Sequence, residues 1–291
     1  MKRLALLGAV ALAAAGCGGG TGVAPPTIAA ARVYKVIHFQ PSGPVTAGKP
    51  TKVSFAIQQP DGTILKMFKG GPGPHTGVHM IFVRDDLSTI IHHHPPLNGT
   101  GKILDTVTFP SPGPYRLVID VYPTTCGGSS TPAIPGAPTS ICNFQLFGKV
   151  NVAGAYKPQP LPPTTQSETV GGYHFSLAGA SRLRAIQAQL VQVNVIGPQG
   201  QAPTFQPWFG ALAHAIFFRR GSLDYFHTHV CAPGAVGCTS ILGAAKVTGS
   251  STTPGKLTVG VLVPVSGTWR LFLQVKIDGK TITAPFTLHV S

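Results

Sequence analysis

The stretch from Val78 to His94, VHMIFVRDDLSTIIHHH, decides how this chain is read, because it occurs twice. Residues 213–229 read AHAIFFRRGSLDYFHTH, and His79, His92 and His94 align with His214, His227 and His229 at a constant offset of 135, without a gap. Downstream, GPYRLVIDV (113–121) matches GTWRLFLQV (267–275). Upstream, TKVSFAIQQPDG (51–62) matches AQLVQVNVIGPQG (188–200), and His-Phe at 38–39 matches His-Phe at 174–175. The matches are collinear, which makes the chain a tandem duplication.

Each copy alternates short apolar runs with turn signals. The first copy predicts strands at 33–39, 51–58, 78–84, 87–94, 103–109, 115–121 and 144–152; the second at 172–177, 188–196, 213–219, 223–229, 256–263, 268–276 and 280–290. Pro60-Asp61-Gly62, Pro112-Gly113, Ser266-Gly267 and Asp278-Gly279 are turns between them. Short strands at this spacing predict an all-β chain of two tandem antiparallel β-sandwiches, Ig-like or cupredoxin-like. Composition agrees: charged residues are only 10 %, while Gly (36) and Pro (28) are abundant. The predicted modules span 32–153 and 172–291, joined by a Pro-rich linker at 154–171.

The repeated stretch also carries the chemistry. A two-residue turn at Asp85-Asp86 would pair Arg84 with Leu87 and set His79 opposite His92, with Cβ atoms ~5 Å apart. His94 shares the face of His92 because strand side chains alternate, and His93 points the other way. With Arg220-Gly221 as the turn, His214 would face His227, with His229 beside them. Each module would then hold one three-histidine site suited to Cu(II) or Zn(II). His75, four residues before His79, is a possible fourth ligand. Asp120 is a candidate outer partner for an imidazole; its counterpart is Gln274, and both also fit surface strand positions. Trp208 and Trp269 read as core aromatics, and the recurring Arg84, Arg116, Arg219 and Arg270 as structural. His38, His93, His174 and His289 receive no role.

The amino terminus, MKRLALLGAVALAAAGC, has a basic start, an apolar run and a small-residue end. Ala14-Ala15-Gly16-Cys17 resembles a bacterial lipobox, with Ala14 where Leu is usual. The resemblance implies a signal peptide at 1–17, lipidation of Cys17, a flexible tether at 18–31 and membrane attachment outside the cytoplasm. The alternative is an ordinary secretory signal with an incidental cysteine. Cys126, Cys142, Cys231 and Cys238 remain, an even number in an exported chain, and chain proximity favours Cys126–Cys142 and Cys231–Cys238 disulfides. The formal charge is +14; without Lys2 and Arg3, 20 basic and 8 acidic side chains leave +12. Outside the cell this fits anionic envelope polymers, lipid headgroups or an envelope protein partner rather than nucleic acid.

Absences narrow the function further. Glu168 is the single glutamate and there are seven aspartates, so paired-carboxylate hydrolysis, an H-E-x-x-H protease and an oxygen-rich calcium site have no support. No G-x-S-x-G or P-loop occurs. Met67 and Met80 are the only methionines beyond the first, against the thioether ligands of Cu(I) carriers.

HMIFVRDDLSTIIHHHPP followed by GPYRLVIDV resembles a widespread group of secreted or lipid-anchored bacterial β-sandwich proteins. Their pattern is a His, an apolar strand, Arg-x-Asp-Leu, His-x-His-Pro and a later Gly-x-Tyr-Arg. Here those positions are His79, Arg84, Asp86, Leu87, His92, His94, Pro95, Gly113, Tyr115 and Arg116. The resemblance implies an envelope protein, sometimes linked with metal handling, without a set reaction. FHTH (226–229) and His79-Met80 are also similar to motifs of peptide-hydroxylating copper monooxygenases, which use two tandem β-domains. The second module lacks their methionine ligand, and Val78 stands where their adjacent histidine would be. The expected function is therefore metal binding by an envelope lipoprotein that is not an enzyme. The alternative is a surface, adhesion or spacer module with structural histidines; a copper-dependent oxidative enzyme is third.

Overall fold

The computed structural model describes residues 33–71, 73–124, 143–232, 240–242 and 245–291. The signal, lipobox and tether readings therefore lie outside the described residues. Cys231 is disulfide-bonded; Cys126, Cys142 and Cys238, and with them both expected pairings, also lie outside. No helix among the described residues is long and apolar enough to cross a membrane.

The fold is all β. In chain order the first module contains β1 (Lys35–Gln40), β2 (Val45–Thr46), β3 (Pro50–Gln58), β4 (Val78–Arg84), β5 (Ile90–His93), β6 (Lys102–Thr108), β7 (Gly113–Val121) and β8 (Phe144–Ala153). They form sheets β1-β3-β6 and β2-β8-β7-β4-β5, antiparallel except for the short β2–β8 pair. The second module contains β9 (Ser167–Val170), β10 (Tyr173–Ala178), β11 (Gln189–Ile196), β12 (Ala211–Arg219), β13 (Tyr225–Cys231), β14 (Ser240–Leu242), β15 (Ala245–Val247), β16 (Ser250–Thr253), β17 (Lys256–Val261), β18 (Gly267–Ile277) and β19 (Lys280–Val290). Its large sheets are β16-β17-β11-β10-β9 and β13-β12-β18-β19. Both modules are Ig-like in strand order. Part of the expected linker is a strand, since β9 pairs with β10.

Alternation explains the cores. Met80 and Phe82 of β4, with Leu117 and Ile119 of β7, point inward in the first module. Ala213, Ala215 and Phe217 of β12, with Leu271 and Leu273 of β18, do so in the second. The Tyr115 hydroxyl donates to the Ser111 carbonyl at 3.2 Å, the tyrosine corner of Ig-like folds. In the second module Trp269 Nε1 makes the matching bond to the Val265 carbonyl at 3.0 Å. Gly113 (φ 124°) and Gly267 (φ 128°) open β7 and β18 with a backbone that side chains resist. A Cβ on Gly113 would also stand 2.4 Å from the Tyr156 ring.

The outer faces of β4, β7, β12 and β18 are not solvated. Ile81, Val83 and Val118 of the first module and Ile216, Phe218 and Phe272 of the second form one buried cluster. The two sandwiches thus pack sheet against sheet. Leu161 from the linker packs on this cluster, and Arg116 Nη1 reaches across to the Ser222 carbonyl at 3.0 Å.

Both histidine hairpins differ from expectation in the same way. Ile81 pairs with His92 and Met80 with His93, which extends to His79 opposite His94; in the second module His214 pairs with His229. The cause is a longer loop than a two-residue turn. Arg84 N–H donates to Thr89 at 3.0 Å and Arg219 N–H to Asp224 at 2.9 Å. Leu87 (φ 59°) and Leu223 (φ 57°) take the left-handed conformation that closes each loop. The register moves by two residues, and an even shift leaves every side chain on its face. The recurring arginines are structural. Arg84 pairs with Asp86 at 2.7 Å and donates to Pro112 O at 3.0 Å, and Arg219 donates to Ser266 O at 2.8 Å. Arg270 donates to Thr287 at 2.8 Å.

Candidate functional site

The histidines sit on the outer faces of the facing sheets, at one end of the apolar seam. His79 comes from β4, His92 from β5 and His94 from just beyond it; His214 comes from β12, and His227 and His229 from β13. His214, His227 and His229 come together as the expected second-module set, but the two sets are not separate, because they meet. Ring centres lie 5.7 Å apart for His79 and His92 and 5.5 Å for His214 and His227 within modules. Between modules they are as close: 5.6 Å for His79–His227 and 5.0 Å for His92–His214. His75 joins from the approach to β4, but beside the other module's histidine: its Nε2 lies 3.1 Å from His229 Nδ1.

Among the described residues, two histidine sets bring one donor atom each within 4.8 Å of one another. They are His79, His92 and His227, and His214, His227 and His229. His227 belongs to both. His94 belongs to neither and is stacked between His79 and Phe209, with ring centres 3.8 Å from each. His93 lies on the opposite face as expected and pairs with Asp105 at 2.7 Å. Thr228, its counterpart in the second module, is buried.

The outer partners cross the seam. His92 Nδ1 lies 3.0 Å from Gln274 Oε1, so Gln274 of the second module orients a first-module imidazole. Asp120 Oδ2 of the first module lies 3.7 Å from Nδ1 of second-module His227. Asp120 and Gln274 occupy matching places in β7 and β18, so the exchange is reciprocal, as in a two-fold dimer interface. Both are buried rather than at the surface. Asp120 also accepts from Asn143 at 2.7 Å, Gln145 at 2.9 Å and Tyr122 at 3.3 Å.

Proton placement follows from these partners. Gln274 Oε1 accepts only, so His92 carries its proton on Nδ1 and a lone pair on Nε2, which lies 3.2 Å from His94 Nε2. His214 donates from Nε2 to the Trp208 carbonyl at 3.0 Å, leaving a lone pair on Nδ1, 3.3 Å from His227 Nε2. A neutral His227 has one proton for two demands. On Nε2 it serves His214 but turns a lone pair toward the Asp120 carboxyl; on Nδ1 it faces Asp120 and leaves two lone pairs opposed. A cation between the opposed nitrogens of His214 and His227 would resolve the conflict. Zn–N bonds of about 2.05 Å in a tetrahedron place ligand nitrogens ~3.3 Å apart, close to these contacts.

Burial holds the imidazoles neutral. Desolvation pulls His79 down to about 4 against the opposing field of Asp120, and pulls His214 to about 4 against the Trp208 carbonyl. His92, His227 and His229 are driven well down by desolvation and then by neighbouring imidazoles, and His94 is lowered for the same reasons. Neutral imidazole is the metal-binding form. Both ring nitrogens of His79, His227 Nδ1 and His229 Nε2 are buried without a hydrogen-bond partner. Each such atom costs about 1–3 kcal/mol unless something engages it.

Trp208 is not a core aromatic. Half-buried, it stands with Phe209 at the edge of the cluster, 5.5 Å from the His92 ring and 5.1 Å from the His214 ring. Its segment has no strand periodicity, so its sequence carries no signal for this place.

A family described as a domain of unknown function (DUF8832) matches residues 168–291, the second module. No curated protein matches the chain. Among solved structures, the chain is similar to FdeC, an Escherichia coli adhesin, at 12 % identity and TM-score 0.27, over 90 % of this chain and 65 % of that one. It is similar to invasin, a bacterial integrin-binding protein, at 12 % identity and TM-score 0.23, over 89 % of this chain and 39 % of that one. A third is the S-layer protein SbsC, domains 5–6, at 11 % identity and TM-score 0.23, over 89 % of this chain and 97 % of that one. The chain thus spans less than two-thirds of the first two proteins' structures.

Proposed function

We propose that this is a non-enzymatic protein of the cell envelope, anchored to the membrane through Cys17, that binds Cu(II) or Zn(II) in the histidine cluster between its two sandwiches. The observation that carries the metal reading is the convergence of buried, neutral imidazoles, with the ring nitrogens of His79, His227 Nδ1 and His229 Nε2 making no hydrogen bond. Imidazole donors with few carboxylates suit these metals and not calcium or magnesium. The export reading rests on the amino-terminal signal pattern, and the basic surface fits anionic envelope polymers.

A second reading is a surface or spacer protein whose histidines are structural. It is favoured by the cluster's own bonds, His92 to Gln274 and His214 to Trp208, which satisfy part of its polarity. Metal analysis and calorimetric titration of the purified protein decide between the two. The metal reading expects tight binding of Cu(II) or Zn(II) that is lost on changing His92 and His94 to alanine together. No binding by either protein leaves the spacer reading, whereas equal binding by the variant moves the metal to His214, His227 and His229.

A further inference from the structure

Building on that metal reading, we infer that the cation is a clamp: His79 and His92 of the first sandwich and His227 of the second hold it jointly, so that metal binding and module docking are one equilibrium. Of the two sets with donor atoms within 4.8 Å, this one draws on both modules. The orienting groups cross as well. His92 relies on Gln274 of the second module at 3.0 Å, and Asp120 of the first module faces His227 at 3.7 Å. Separating the sheets would remove a ligand from the set and the outer partners of two ligands in one step. A site assembled only in the docked state stabilises docking, and the effect grows with the logarithm of ligand excess over the dissociation constant.

The cluster's position supports a clamp over a store. It continues the apolar seam of Ile81, Val83, Ile216 and Phe218, because His79 and His214 are the next outward residues on the same two strands. The cation would complete the polar end of a contact whose other end is hydrophobic. Trp208 stands 5.5 Å from the His92 ring, within quenching reach of bound Cu(II).

The test uses the full chain with zinc or copper sulfate as the probe. Changing His79 and His92 to alanine leaves His214, His227 and His229 intact. The clamp expects affinity to fall at least about 100-fold, the upper end of what loss of a mere outer partner costs. Hydrogen exchange on the unaltered chain is the second measurement. The cation should slow exchange in both β5 and β13, the seam-side edge strands of the two facing sheets. Affinity kept within about threefold, or protection confined to β13, places the metal in the second module alone; the clamp then falls while the metal reading stands. No binding by the unaltered chain overturns both. If the variant does not fold, the exchange pattern decides.

Discussion

The seam between the sandwiches has two halves built on the same strands. In one, Ile81, Val83, Val118, Ile216, Phe218 and Phe272 exclude water. In the other, His79, His92, His214, His227 and His229 are as deeply buried but keep polar nitrogens inside. The apolar half holds no group that takes up a proton or a metal. The histidine half does, because each imidazole can take a proton and, on the proposed metal reading, the cluster takes a cation. A single contact thus combines a constant part and a conditional part.

Acid is the strongest way to separate them. His79 and His214 have folded values of about 4, against 6.5 for the free side chain. Above pH 6.5 neither state binds the proton, and these groups contribute nothing. Below it the unfolded chain takes up protons that the folded chain refuses, so stability falls as pH drops toward 4. Each shift corresponds to roughly 3 kcal/mol at its full extent. Urea unfolding of chelator-treated protein at pH 7, 5.5 and 4.5 should show this loss; a flat profile would mean the imidazoles are not buried neutral.

The apolar half should respond to truncation and not to acid. Phe272→Ala removes a ring that is 2 % exposed, and the expected cost is about 3–5 kcal/mol by urea unfolding at pH 7. Its pH slope should stay that of the unaltered chain. A slope that vanishes with the ring would show that the two halves are not separable.

His93→Ala is the smallest change. The side chain is 35 % exposed in its pair with Asp105, on the face away from the seam. Loss of this partly exposed contact should cost under about 1 kcal/mol and leave metal binding unchanged. A large effect on metal affinity would put the wrong histidine of the three in the cluster.

The face of each histidine was legible in the sequence, because alternation fixes it and the duplication repeats it. The cross-strand partner was not: the loops close through left-handed Leu87 and Leu223, a conformation uncommon for leucine. The even register shift is why the right faces survived a wrong turn. The meeting of the modules was visible only as a trace. Val78–Val83 and Ala211–Phe218 are apolar on both faces apart from His79 and His214, the pattern of a strand covered on both sides. What covers it depends on long-range packing, which no local pattern encodes. The burial of Asp120 and Gln274 was not legible for that reason: His227 and His92 face them from across the seam, while Asn143, Gln145 and Tyr122 bond Asp120 within its own module.

The reciprocal seam also differs from that of a homodimer in what it permits. Two identical chains must present the same residue to each other twice, and their encounter depends on concentration. Here the linker holds the partners at an effective concentration on the order of millimolar. Each copy is free to vary separately. Asp120 and Gln274 use that freedom: one imidazole faces a carboxyl group and the other a neutral amide. The two halves of a symmetric scaffold can therefore hold one proton inventory that is not symmetric.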